Sequence, residues 1–131
     1  MLISPGLSIA ELNQMSPLIM AYVGDAVFEL AIRSRKIVDK PRKIKEIHQE
    51  VVNLVNAEKQ AQILRDIEGC LTEEELAVVR RGRNAKSHSV PRHAVTADYR
   101  WSTGLEALFG YLYLKGDEHR LQEILGMIDY T

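Results

Sequence analysis

The chain reads as all-helical. Apolar residues recur at three- and four-residue steps along most of its length, and helix start and stop signals bracket those segments. No alternating apolar/polar stretch of convincing length argues for a strand. The 131 residues are expected to form one domain, residues 1–131, of about seven helices.

The elements follow in order. Ser8 is a cap for a short helix to about Met15. Ser16 and Pro17 supply a cap and a first-turn proline for a helix to about Ile37. Its apolar residues cover most of its circumference, as in a central buried helix. Pro41 is expected to open a third helix to about Asn56, with Ile44, Ile47, Val51, Leu54 and Val55 on one face. A fourth should run from Ala57 to Glu68 and stop at Gly69. Thr72 and Glu75 form a capping box for a fifth, ending near Gly82. Residues 83–95 lack periodicity, contain Pro91 and read as a loop. Thr96 then caps a long helix to Lys115, closed by Gly116, and a last helix covers Asp117 to Asp129.

Composition excludes several classes. The single cysteine, Cys70, has no partner for an internal disulfide, which fits a reducing compartment. The start "MLISPGLSIAEL" lacks a basic, then apolar, leader pattern, and no run of about 18 uncharged apolar residues suggests a membrane span. None of His48, His88, His93 and His119 has the spacing of a zinc motif. "RRGRN" has one glycine and is not a phosphate-cradling loop.

A net charge of −1 hides segregation. Residues 33–45 carry seven Lys/Arg against Asp39, and residues 80–100 carry six against Asp98. These two segments hold 13 of the 17 basic residues and 2 of the 18 acidic ones. They read either as a polyanion footprint or as ordinary solvated surface.

The sharpest feature is "AYVGDAVFEL", residues 21–30, where Asp25 and Glu29 interrupt an otherwise apolar run. The pattern recurs in "WSTGLEALFGYLYL", residues 101–114, whose one charge is Glu106. A carboxylate buried without compensation costs several kcal/mol, on the order of what a whole domain holds in net stability. Such a group is protonated, paired or bound to metal. Two helices crossing at Asp25 and Glu106 would make a hard-oxygen site suited to Mg²⁺. Gly24 and Gly104 are expected to let the backbones approach there. Glu29, one turn after Asp25, reads either as a further ligand or as a polar residue at the mouth of the site.

These segments resemble a known family. "YVGDAVFEL" (22–30) resembles the signature helix of ribonuclease III catalytic domains, and "TGLEALFGYLYL" (103–114) that family's second metal-binding helix. "RRGRNAKS" (80–87) and "YRWSTGLEALFGYLYL" (99–114) are closer to the small subgroup called mini-ribonuclease III, which consists of the catalytic domain alone. The likeness covers essentially the whole chain.

The resemblance implies an all-helical domain that dimerises across the signature helix. It implies Mg²⁺-dependent hydrolysis of double-stranded RNA to 5′-phosphate and 3′-hydroxyl ends, and, for the subgroup, maturation of 23S ribosomal RNA precursor in the bacterial cytoplasm. Asp25 and Glu106 match the family's metal-binding and catalytic carboxylates. Two further family carboxylates are replaced here by Ala21 and Thr103, so one firmly held magnesium is expected, with Glu29 or Asp98 as unfavoured substitutes. Arg80, Arg81, Arg83, Asn84, Lys86, His88 and Arg92 are the expected RNA contacts, aided by the basic run at 33–45. Duplex RNA is recognised by shape and by its 2′-hydroxyls. With no separate duplex-RNA-binding domain in these residues, a ribosomal protein is a candidate helper in presenting the substrate. A non-catalytic duplex-RNA-binding module and a helical adaptor with structurally paired acids are the competing readings.

Overall fold

A computed structural model describes residues 3–85 and 96–131. Seven α-helices occupy the described residues: α1 (Ile9–Gln14), α2 (Pro17–Asp39), α3 (Ile44–Val55), α4 (Ala57–Ile67), α5 (Glu73–Arg83), α6 (Thr96–Lys115) and α7 (Glu118–Gly126). A short 3₁₀ turn, Glu68–Cys70, follows α4, and no strand occurs among the described residues.

Local chemistry sets the boundaries. Ser8 and Glu11 close a reciprocal capping box on α1, as Thr72 and Glu75 do on α5. Ser16 Oγ accepts from the Leu18 amide, with Pro17 opening α2. Asn56 caps α4 and Asp117 caps α7. Gly116, at φ 86°, makes the left-handed turn between α6 and α7.

Two boundaries differ from expectation. The third helix opens at Ile44 rather than at Pro41. Lys40 and Lys43 are extended, and Arg42 between them folds back to Glu50 (2.5 Å) and to the Lys40 carbonyl (2.7 Å). The last helix stops at Gly126 because the chain end turns onto α2. There Lys36 donates to the Tyr130 carbonyl (2.9 Å), the Arg35 guanidinium lies 4.2 Å from the centre of the Tyr130 ring, and the Tyr130 hydroxyl donates to the Leu125 carbonyl (2.6 Å).

The core is organised around α6, which packs against α2, α4, α5, α7 and α1. It is buried from Ser102 to Leu114 except at Glu106 and Tyr113. Phe28 of α2 stacks on Phe109 at 5.1 Å. The α2–α6 crossing is backbone on backbone. A Cβ at Gly24 would collide with the Glu106 carbonyl, and one at Gly110 with the Met20 carbonyl. Gly104 was expected at this crossing but serves another: a Cβ there would collide with the Val79 carbonyl of α5, beside Gly82. Gly110, one helical turn after Glu106, takes the place assigned to it.

Glu75 and Arg120 tie α5 to α7 through a two-pronged pair, both N–O distances 2.8 Å, with the Arg120 guanidinium also donating to the Cys70 carbonyl. Arg120, opposing the effect of burial, holds the Glu75 carboxyl below its ordinary value. A lowered value means stability that is present above the unfolded carboxylate's pKa, about 4.3, and lost as pH falls through the folded one. Glu75→Gln is expected to cost about 1–3 kcal/mol at neutral pH, because it removes a two-pronged charge-assisted pair and leaves the partly exposed Arg120 guanidinium with Glu123 at 3.7 Å as its remaining counter-charge. The deficit should shrink in acid, as read by urea unfolding at pH 7 and pH 3.

Candidate active site

Asp25 follows Gly24 on α2, so the close crossing carries its carboxyl to that of Glu106 on α6. Asp25 is exposed and Glu106 half-buried. No ion pair found among the described residues involves either acid. Burial, then hydrogen bonding with the neighbouring Asp25 carboxyl, then that group's negative charge, push Glu106 up to about 8. The Gln60 amide pulls the other way.

Two adjacent carboxyls without an ion-pair partner among the described residues, one of them pushed toward its neutral form by burial and by the other, form a donor set that a hard divalent cation fits once both are ionised. The ion's charge would offset both the burial of Glu106 and its repulsion from Asp25. No group of three or more His, Cys, Asp or Glu suited to a metal exists among the described residues. A divalent ion held by the Asp25 and Glu106 carboxyls would complete its shell with water.

A pH dependence follows from Glu106. Its folded value lies above its unfolded one, so the folded state binds more protons between roughly pH 4.5 and 8 and loses stability as pH rises through that window. Cation-free protein is expected to show this loss in thermal melts from pH 5 to pH 8.5, and Glu106→Gln to flatten it.

The remaining candidate acids are engaged elsewhere. Glu29 pairs with Arg33 at 2.6 Å, and Asp98 sits 4.0 Å from Arg65. Ala21 is buried, as is Thr103, whose hydroxyl donates to the Tyr99 carbonyl at 3.0 Å. Sequence reasoning missed Gln60. It is buried on α4 and donates to the Val55 carbonyl (2.7 Å) and toward Glu106 Oε2 (3.5 Å). The available signal was a polar residue on the apolar stripe shared with Leu64 and Ile67.

The basic residues divide. Arg80 is exposed on α5. Arg81 donates to the Met15 carbonyl (2.8 Å) and the Asn13 carbonyl (3.4 Å), closing the end of α1. Arg83 lies 4.6 Å over the Trp101 ring and donates to the Asn84 side chain (2.9 Å). Lys86, His88 and Arg92, with His93, lie outside the described residues. In the 33–45 run, Arg33, Arg35, Lys36 and Arg42 are engaged with Glu29, Tyr130 and Glu50, while Lys40, Lys43 and Lys45 are exposed.

Residues 18–117 match the ribonuclease III domain. The chain belongs to the ribonuclease III domain family. With that family it is an endoribonuclease, a hydrolase. Among its relatives are proteins named Mini-ribonuclease 3 from Clostridium tetani (41% identical, over 90% of this chain and 79% of the relative), Synechococcus (45%, 95% and 88%) and Synechocystis (47%, 89% and 80%). A crystal structure of a Fusobacterium nucleatum protein superposes with a TM-score of 0.78 at 32% identity, covering 87% of this chain and 91% of that one. Gly24, Asp25, Glu106 and Gly110 all fall inside the ribonuclease III match.

Proposed function

We propose that this chain is a Mg²⁺-dependent endoribonuclease that hydrolyses phosphodiester bonds in double-stranded RNA and matures 23S ribosomal RNA precursor in the cytoplasm. The observation that carries the reading is the Asp25–Glu106 pair: two carboxyls from separate helices, adjacent and without a cationic partner. Asp25 and Glu106 would hold the ion. A bound Mg²⁺ supplies Lewis-acid polarisation of the phosphodiester and hydroxide-forming power at neutral pH. Asp25 is exposed at the crossing, where an incoming phosphate could reach an ion it holds, while half-buried Glu106 would anchor that ion from within the helix bundle. With Ala21 and Thr103 where the longer enzymes of the family carry acids, one firmly held ion suits this donor set.

Phosphate contacts are assigned to Arg80, Arg83 and Asn84 at the end of α5, continuing into Lys86, His88 and Arg92, with Arg81 bracing that end of α5 against α1. Binding through such contacts is salt-sensitive and largely sequence-blind. A homodimer is supported by α2. Ile19, Tyr22, Leu30 and Ile37 recur along it at helical spacing and are 55%, 82%, 48% and 60% exposed. A two-fold pair across this stripe presents two sites, one for each strand of a duplex. The described residues share one apolar core, which supports a single catalytic domain over 1–131. Help from a ribosomal protein bound to the precursor would explain selection of one RNA by a sequence-blind surface.

The test incubates precursor duplex and plain duplex RNA with wild type and Asp25→Asn, with and without Mg²⁺. Cleavage by wild type only, with Mg²⁺ only and favouring the precursor, is expected. Cleavage that survives in Asp25→Asn or without divalent cation would remove the basis of the proposal.

A further inference from the structure

Gln60 sits where the packing calls for an apolar residue. It shares the inward stripe of α4 with Leu64 and Ile67 and is 3% exposed. Its amide reaches two acceptors: the Val55 carbonyl at the end of α3 (2.7 Å) and Glu106 Oε2 on α6 (3.5 Å). The Val55 contact fixes which end of the amide is the donor. Its Oε1 is buried with no donor among the described residues, a cost that leucine at this position would avoid.

The bond to the Val55 carbonyl serves the α3–α4 junction, but Gln60 is not what closes that junction. Asn56 already closes it, accepting from the Lys59 amide (2.8 Å) and donating toward the Asn53 and Val52 carbonyls (3.2 and 3.4 Å). What Gln60 adds is a link from the junction to the carboxyl of the candidate metal site. The link is long in this structure, and a hydrogen bond to an ionised carboxylate is shorter and stronger than one to a neutral acceptor.

We propose that Gln60 is a positioning residue for the metal site, its amide N–H fixing the orientation in which the Glu106 carboxylate is presented to a divalent cation held jointly with Asp25. This rests on the reading of Asp25 and Glu106 as ligands. Partners of metal ligands restrict ligand rotation, and their loss typically weakens metal affinity about 10- to 100-fold.

The experiment compares wild type, Gln60→Leu, Gln60→Met and Asp25→Asn in calorimetric titration with Mg²⁺ alone, in unfolding without cation, and in cleavage of duplex RNA at limiting and saturating Mg²⁺. For Gln60→Leu the Mg²⁺ dissociation constant should rise about 10- to 100-fold. Cleavage should fall at limiting Mg²⁺ and recover at saturation, with KM for duplex RNA and cation-free unfolding close to wild type. Wild-type Mg²⁺ affinity in a folded Gln60→Leu would overturn the proposal, as would lowered stability with unchanged affinity. Should Gln60→Leu not fold, Gln60→Met, flexible and of similar length, carries the same expectations. Failure of both to fold would assign Gln60 to the scaffold and overturn it too. Mg²⁺ binding that survives in Asp25→Asn is a separate failure, because it dissolves the site itself.

Discussion

Asp25→Asn is expected to lower cleavage of duplex RNA by more than about 100-fold, with the fold intact. The magnitude follows from comparison: residues that merely orient a metal ligand are worth about 10- to 100-fold, and a ligand itself is worth more. The fold should survive because Asp25 is exposed and forms no ion pair among the described residues. Asparagine also keeps its shape. Stability without cation is expected to stay close to wild type, since the asparagine side-chain oxygen can still accept from the protonated Glu106 carboxyl. Single-turnover cleavage with excess enzyme, alongside a thermal melt, reads both quantities. A rate loss accompanied by unfolding would point to a structural role for Asp25.

Gly24→Ala and Gly110→Ala are expected to have the largest effect on stability, each costing about 3 kcal/mol or more. At most core positions an added methyl is absorbed by side-chain movement. Here the added carbon meets main-chain carbonyls, of Glu106 in one case and Met20 in the other, so two helices must separate. Against a total of about 5–15 kcal/mol for a typical domain, that is a large fraction. The same displacement carries Asp25 away from Glu106, so activity should fall by more than the unfolded fraction explains. Gly126→Ala is the control: nothing lies near its added carbon, and alanine near a helix end is neutral or mildly favourable. Urea unfolding of the three variants separates backbone crowding from a general intolerance of added methyl groups.

Much of this was legible in the sequence because it rests on local signals. Capping boxes at Ser8 and Thr72 and the proline at 17 are written in short windows, and the helices they start form as expected. Asp25 and Glu106 stood out because an acid within an apolar helical run is anomalous wherever the helix ends up. The illegible part depended on which faces meet. Four glycines in or beside α6's contacts look alike in sequence, yet Gly24 and Gly110 make the α2 crossing while Gly82 and Gly104 make the α5 crossing. Gln60 carries its signal only as a polar residue on the apolar stripe of α4, and that stripe does not say which acceptor of another helix the amide meets. Four of the seven basic residues at 33–45 are engaged within the protein. Arg42 and Lys36 secure Glu50, and Lys36 and Arg35 hold Tyr130, a use of charge that net composition does not distinguish from an RNA footprint.

Calorimetric titration of Mg²⁺ into the RNA-free protein at neutral pH, run on wild type, Asp25→Asn and Glu106→Gln, tests most directly whether the two carboxyls form one cation site. Saturable binding to wild type that is lost in both variants, each still folded, is the predicted result. Equal binding by all three proteins, or no binding by wild type, would contradict it.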